Sequence, residues 1–150
     1  LTFPNYEKFY LNLVLQRTGH FTEITGKDGD LALAEWMKTG CTESIIKLLR
    51  NNKVLRKYLT ICSNSANKEA LLIFDLLSNV GFSLANANVL SIGCGNGLIE
   101  LFLFHTAKDR KQKINDFTLV DSEDSSNIRG FGYGNETASY ASLSDTLVFL

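Results

Sequence analysis

Residues 88–121 restrict the fold more than any other part of the sequence, because two short apolar runs flank glycines and one helical segment there. Residues 89–92 form an apolar run that ends at a glycine, which is typical of a strand buried in a parallel sheet. Residues 96–108 place apolar side chains at helical spacing, and residues 117–120 form a second run of strand-forming residues. This order predicts a βαβ unit and a fold of the α/β class.

The sequence before residue 88 predicts helices instead. We therefore expect an N-terminal helical cap region over residues 1–87, followed by a sheet region over residues 88–150, together in one structural domain. Residues 19–30 contain three glycines and predict a loop. The predicted helices are one that Gly19 ends, one over 31–37 with Asp30 as N-cap and Gly40 after it, one from Thr42 through 49, one over 54–61, and one from Ser65 to Gly81. The side chains predicted to be buried on the first and the last of these helices are Phe3, Tyr6, Phe9, Tyr10, Leu13, Val14, Leu71, Leu72, Phe74, Leu76, Leu77 and Val80.

Composition narrows the functional classes. The chain has 150 residues, a net charge of −1 and 45% hydrophobic residues, which suit a globular domain. The one basic cluster, residues 108–113, is interpreted as a solvated helix end, so no nucleic-acid surface is expected. The apolar stretches are too short for a membrane span. Cys41, Cys62 and Cys94 lie far apart, which predicts no metal site and no disulfide framework, and favours a cytoplasmic location.

The segment Gly93-Cys94-Gly95-Asn96-Gly97 joins the first predicted strand to the helix. A ligand that lies across the carboxyl end of a strand needs a turn without Cβ atoms in its way. A helix that starts directly after the turn points free N–H groups and its positive dipole end toward an anion such as a carboxylate. Asp121 follows the second predicted strand, where a carboxylate can accept hydrogen bonds from a ribose diol.

With the strand before it and Asp121 after it, the segment VLSIGCGNG at 89–97 resembles the first motif of the class I (Rossmann-like) S-adenosylmethionine-dependent methyltransferase family. The resemblance implies a partial Rossmann-like methyltransferase sheet that binds S-adenosyl-L-methionine, with the glycines around its methionine end, Asp121 on the ribose and Ser122 near the adenine. The cofactor-binding residues that it implies are Gly93, Cys94, Gly95, Asn96, Gly97, Asp121 and Ser122.

The position of the third glycine disfavours a dinucleotide-binding oxidoreductase. That class has the fingerprint GxGxxG, which would place a glycine at Leu98, whereas the chain has its third glycine at Gly97. The pattern GxxxxGK[ST] does not occur in the sequence, which excludes a P-loop.

Two features depart from the family pattern. Many family members have an acid at the position of Ser91, where it supports the glycine loop and the methionine amine, and serine carries no charge. The residues after Asp121 are also too few for the whole family sheet. Residues 145–150 are the candidate for its fourth strand, so we expect the sheet to be incomplete at the C-terminus.

The resemblance implies transfer of a methyl group from S-adenosyl-L-methionine to an acceptor. The long helical segment and the scattered basic residues favour a small molecule as that acceptor. The alternative is a truncated or degenerate relative that acts as a non-catalytic binding module. The sequence identifies no catalytic base, and it predicts neither the individual acceptor nor the oligomeric state.

Overall fold

The structure is a computed structural model that describes residues 7–120, 129–130 and 137–138. Its elements are α1 (Glu7–Gln16), α2 (Thr18–Thr25), α3 (Lys27–Thr39), α4 (Glu43–Leu49), α5 (Asn52–Asn79), β1 (Asn88–Ile92), α6 (Leu98–Asp109), β2 (Asp116–Val120), β3 (Arg129–Gly130) and β4 (Thr137–Ala138). Over these residues the protein is mostly helical and of the α/β class, with β1 and β2 paired in parallel. None of the helices in the described ranges combines the length and the apolarity that crossing a bilayer requires.

The described residues form two compact units, and the boundary between them falls inside α5, between Cys62 and Ser63. The first unit contains α1 to α4, the start of α5 and the antiparallel pair of β3 and β4. The second contains the rest of α5, β1, α6 and β2. The change of sequence period at residue 88 therefore marks where strands begin, and the units separate at an earlier residue.

The first unit is built around aromatic and aliphatic side chains. Its largest fully buried side chains are Tyr10, Tyr58, Phe21, Leu13, Ile45, Leu49, Val14 and Cys62. The Tyr58 hydroxyl donates a hydrogen bond of 2.8 Å to the carbonyl oxygen of Leu13, and its ring meets the Phe21 ring edge-on, with centroids 5.7 Å apart. Burial raises the pKa of Tyr58, which keeps this hydroxyl protonated and able to donate. The stripe predicted for α1 is confirmed where the structure describes it, and Phe3 and Tyr6 lie outside those residues.

The loop predicted over residues 19–30 is wrong, because α2 and α3 occupy that segment with Gly26 between them. Gly29 lies inside α3, where an added Cβ would collide with the side chain of Thr25. A glycine at this position allows α2 and α3 to approach closely, so it reflects packing and not a loop.

The same two helices change the predicted roles of two residues. Asp30 lies in the first turn of α3, where its charge complements the helix dipole, and it is not the N-cap. The first helix, α1, ends at Gln16, so Gly19 does not end it. Gly40 does end α3 as predicted, in the left-handed conformation with its N–H bonded to the carbonyl oxygen of Trp36.

The two helices predicted between residues 54 and 80 are one continuous helix, α5. Its segment contains no glycine and no proline, so nothing in the backbone interrupts it. The Ser65 hydroxyl donates to the carboxylate of Glu69 at 3.0 Å, so Ser65 is an interior residue and not a cap. The predicted stop at Gly81 is confirmed, because the Phe82 N–H bonds to the carbonyl oxygen of Leu77 in a closing turn.

The second unit has its own core, with α5 and α6 against one face of the sheet. The buried members are Ala70, Phe74, Leu84, Leu103, Ala107 and Ile114. Of the residues predicted to be buried on this last predicted helix, Phe74 is in the core, but Leu72 and Leu76 on α5 are 60% and 56% exposed, and Val80 just after α5 is 79% exposed. That part of the prediction is wrong, because α5 carries apolar residues on a wider arc than its contact with α6 and the sheet covers.

The predicted βαβ unit is confirmed. Strands β1 and β2 pair in parallel with Asn88 opposite Asp116 and Ile92 opposite Val120, and α6 is the crossover between them. Residues 121 and 122, the loop predicted after them and the candidate strand over 145–150 lie outside the described residues.

Burial along β1 alternates, which differs from the strand buried on both faces that the sequence predicts. Val89 and Phe117 pack against the core, while Leu90 and Ile92 are 60% and 78% exposed. The strand period of two sends alternate side chains to opposite faces, and in the second unit the helices cover one of them.

Replacement of Leu103 by alanine should lower the free energy of unfolding by about 3 kcal/mol, since this side chain is 7% exposed and fills the core of the second unit. The matched control is Leu76→Ala in α5, which should change that free energy by less than about 0.5 kcal/mol because Leu76 is 56% exposed. Urea denaturation followed by circular dichroism measures both. Equal losses for the two variants would contradict the described core.

Candidate functional site

Residues 93–97 form the connection between β1 and α6, which we call the glycine loop. Gly93, Gly95 and Gly97 have φ values of 73°, 59° and 66°, all in the left-handed region. Residues with a Cβ rarely adopt this region, so the backbone of the loop favours glycine at these positions. The turn predicted from the sequence is therefore present.

The glycine loop lies at the carboxyl end of both parallel strands. The N–H of Gly93 donates a hydrogen bond of 2.7 Å to the carbonyl oxygen of Val120, the last residue of β2, and the N–H of Cys94 reaches the same oxygen at 3.5 Å. The N–H of Gly97 closes the turn on the carbonyl oxygen of Cys94 at 3.0 Å. These bonds attach the loop to the end of β2, so Asp121 follows in sequence the residue that anchors it.

Asn96 is the most buried polar side chain of the glycine loop, with 6% of its surface exposed. Its Oδ1 accepts a hydrogen bond of 3.2 Å from the N–H of Leu98, the first residue of α6. This bond fixes the orientation of the amide, because only the oxygen can accept it. Its Nδ2 is buried and has no hydrogen-bond partner among the described residues. The loop therefore presents an unused donor at the positive end of α6.

A carboxylate that the sequence reasoning did not assign to the site lies beside the loop. The Ser91 hydroxyl donates a hydrogen bond of 2.6 Å to Oε1 of Glu100, in the first turn of α6. The other oxygen, Oε2, is buried and has no partner among the described residues. Ser91 lies on the same covered face of β1 as Val89, and a polar side chain that faces a helix needs a partner there. That pattern was the available signal for Glu100.

An apolar cavity of about 270 Å³ adjoins this carboxylate on the side of α6 and β2. Its lining consists of Glu100, Leu101, Phe104, His105, Phe117 and Leu119. Glu100 thus connects the glycine loop with a space large enough for a small organic group.

Among the predicted site residues, the structure brings together Gly93, Cys94, Gly95, Asn96 and Gly97. Asp121 and Ser122 lie outside the described residues, so their roles stay predictions. Within the described residues Asn96 Nδ2 is a buried donor without a partner, and such a donor could hold an acceptor group such as a carboxylate.

Comparison with known proteins gives no match to a family model, to a curated protein or to a solved structure. The function of the site therefore has to be argued from its own geometry.

Replacement of Gly93 by alanine should lower the free energy of unfolding by about 1 kcal/mol, since φ is 73° there. The matched control is Gly19→Ala in α2, because neither glycine has an atom within 4 Å of an added Cβ and only Gly93 has a positive φ. We expect the control to raise the free energy of unfolding by about 0.5 kcal/mol through its helix propensity. Thermal and urea unfolding measure the two values, and a loss in the control equal to that in Gly93→Ala would refute the backbone assignment.

Proposed function

We propose that this chain binds S-adenosyl-L-methionine at the glycine loop and transfers its methyl group to a small-molecule acceptor. The observation that carries the proposal is a loop of three left-handed glycines whose first N–H bonds to the end of the neighbouring parallel strand. Ligands of open α/β sheets bind at this edge, outside the carboxyl ends of the strands. In this proposal β1, α6 and β2 belong to a partial Rossmann-like methyltransferase sheet.

The residues of the chain have distinct parts in the proposed site. The glycines permit the ligand to approach the backbone without a Cβ in its path. Asp121 would accept hydrogen bonds from the ribose diol, and Ser122 would contact the adenine. The bound cofactor would supply a methyl group on a sulfonium sulfur, and S-adenosylhomocysteine would be the group that leaves when a nucleophile bonds to that methyl carbon. The main contribution of the protein is then to align the nucleophile with that carbon, which is worth many orders of magnitude in effective concentration.

The start of α6 favours this cofactor over a dinucleotide. Gly97 is the N-cap of α6, and the helix begins at Leu98, so the last loop glycine ends the turn. The dinucleotide fingerprint places its third glycine one residue further, inside the helix, where it permits close packing of helix and strand. Position 98 has a half-buried leucine instead.

The charge distribution favours a small and uncharged or weakly charged acceptor. Lys108, Lys111 and Lys113 are exposed around the C-terminal end of α6. This helix has 12 residues and is about 18 Å long, so the cluster is far from the glycine loop at its other end. A polyanionic acceptor such as a nucleic acid would need positive charge near the loop.

Isothermal titration with S-adenosylhomocysteine tests the proposal. We expect binding to the unaltered protein, and affinity about tenfold weaker in Asp121→Asn because the charge-assisted hydrogen bonds to the ribose are lost. The matched control is Asp116→Asn, an exposed carboxylate at the opposite end of β2, which should leave the affinity unchanged.

The remaining outcomes distinguish the competing functions. Formation of S-adenosylhomocysteine from S-adenosyl-L-methionine with a panel of small amines, phenols and thiols supports catalysis. Binding without turnover across that panel supports a non-catalytic binding module. Binding of NAD in place of S-adenosylhomocysteine, or binding of neither compound, contradicts the proposal.

A further inference from the structure

The carboxylate of Glu100 has an unused acceptor in a buried position. The Ser91 hydroxyl donates a hydrogen bond of 2.6 Å to Oε1 of this carboxylate. The second oxygen, Oε2, has no partner among the described residues and no contact with solvent. A buried carboxylate oxygen without a donor is unfavourable, and hydrogen bonds to charged groups are the strongest of those that could satisfy it. Its position in the first turn of α6 places it next to the glycine loop.

Asn96 has an unused donor, whereas Glu100 has an unused acceptor. Its Oδ1 is engaged by the Leu98 N–H, and its buried Nδ2 lacks an acceptor among the described residues. The donor lies at the N-terminus of α6, where the helix dipole also favours a negative group. The start of α6 therefore contains one unsatisfied acceptor with negative charge and one unsatisfied donor in a positive field.

A ligand group that satisfies both atoms needs a donor for the carboxylate and an acceptor for the amide, and these hydrogen bonds are strongest when the donor is a cation and the acceptor an anion. An α-amino acid has this property, since its ammonium and carboxylate groups are attached to one carbon. We infer that Glu100 binds the α-ammonium group, and Asn96 the α-carboxylate group, of the methionine end of the cofactor, an assignment that rests on the proposed function. The pair would thereby select ligands that carry an amino-acid end over nucleosides that lack one.

Ser91 is a positioning residue in this assignment. It bears no charge, but its hydrogen bond holds the carboxylate of Glu100 against β1 at the base of the glycine loop. The strand thus provides the hydroxyl and the helix provides the negative charge. Ser91→Ala should weaken binding less than Glu100→Gln does. In Ser91→Ala the carboxylate of Glu100 is still present, and only the hydrogen bond that positions it is lost.

Four ligands separate the two contacts in isothermal titrations. They are S-adenosylhomocysteine, its decarboxylated analogue, its deaminated analogue and 5′-methylthioadenosine, which has neither charged group. Glu100→Gln should weaken binding of the two ligands that have an ammonium group by about tenfold or more and leave the other two unchanged. Asn96→Asp should weaken the two that have a carboxylate, and it retains an oxygen for the Leu98 N–H.

Controls separate recognition from folding. Asp109→Asn removes an exposed carboxylate at the other end of α6 and should leave all four affinities unchanged. If Asn96→Asp lowers the unfolding temperature, Asn96→Ser repeats the comparison, since the serine hydroxyl can accept from the Leu98 N–H without adding charge. Circular dichroism of each variant checks that the helices remain.

The outcomes also distinguish this inference from the proposed function. If the unaltered protein binds none of the four ligands, both fail. If S-adenosylhomocysteine binds, but Glu100→Gln changes all four affinities alike or changes none, this inference alone is wrong. If Glu100→Gln weakens binding only of the ligands that have an ammonium group, the result supports the assignment of Glu100.

Discussion

Parallel pairing of β1 with β2 is the constraint on which the rest of the second unit depends. Parallel neighbours cannot be joined by a tight turn, so the chain has to return over one face of the sheet, and α6 makes that return. The same geometry places the carboxyl ends of both strands at one edge. The bond from Gly93 N–H to the Val120 carbonyl oxygen fixes the glycine loop at that edge. Core, crossover and candidate site therefore follow from one pairing.

Local sequence pattern predicts the elements of this unit well and those of the first unit less well. The period change at residue 88 and the stop signals at Gly40 and Gly81 act through the backbone next to them, so a single sequence contains them. Gly29 fails as a loop signal because the glycine serves packing: an added Cβ would collide with Thr25 at the end of α2, and this contact exists only once both helices have formed. The sequence predicts two helices in place of α5 because Ser65 can act as an N-cap. The helix is continuous because no glycine or proline is present to stop it.

The candidate site shows the same limit. The glycine loop is predictable, since its left-handed backbone favours glycine whatever surrounds it. Glu100 is not predictable as a site residue from helix pattern alone, because an acid in a first turn is common and complements the dipole. Glu100 differs from such an acid because it accepts a hydrogen bond from Ser91 on the covered face of β1. This contact joins two elements, so the sequence of the helix alone does not contain it. The placement of Asp121 depends on residues after β2 and stays a prediction.

The left-handed conformations of Gly93, Gly95 and Gly97 have a consequence for how far this sequence could diverge. The turn favours glycine at these positions whatever the loop binds, so a descendant that bound nothing would still gain stability by keeping them. Asn96 Nδ2 and Glu100 Oε2 have no described partner, whereas the other polar atom of each side chain holds one, namely the Leu98 N–H and the Ser91 hydroxyl. In a descendant that bound no ligand, both positions could accept other polar residues that keep one acceptor oxygen, while the glycine spacing stayed the same.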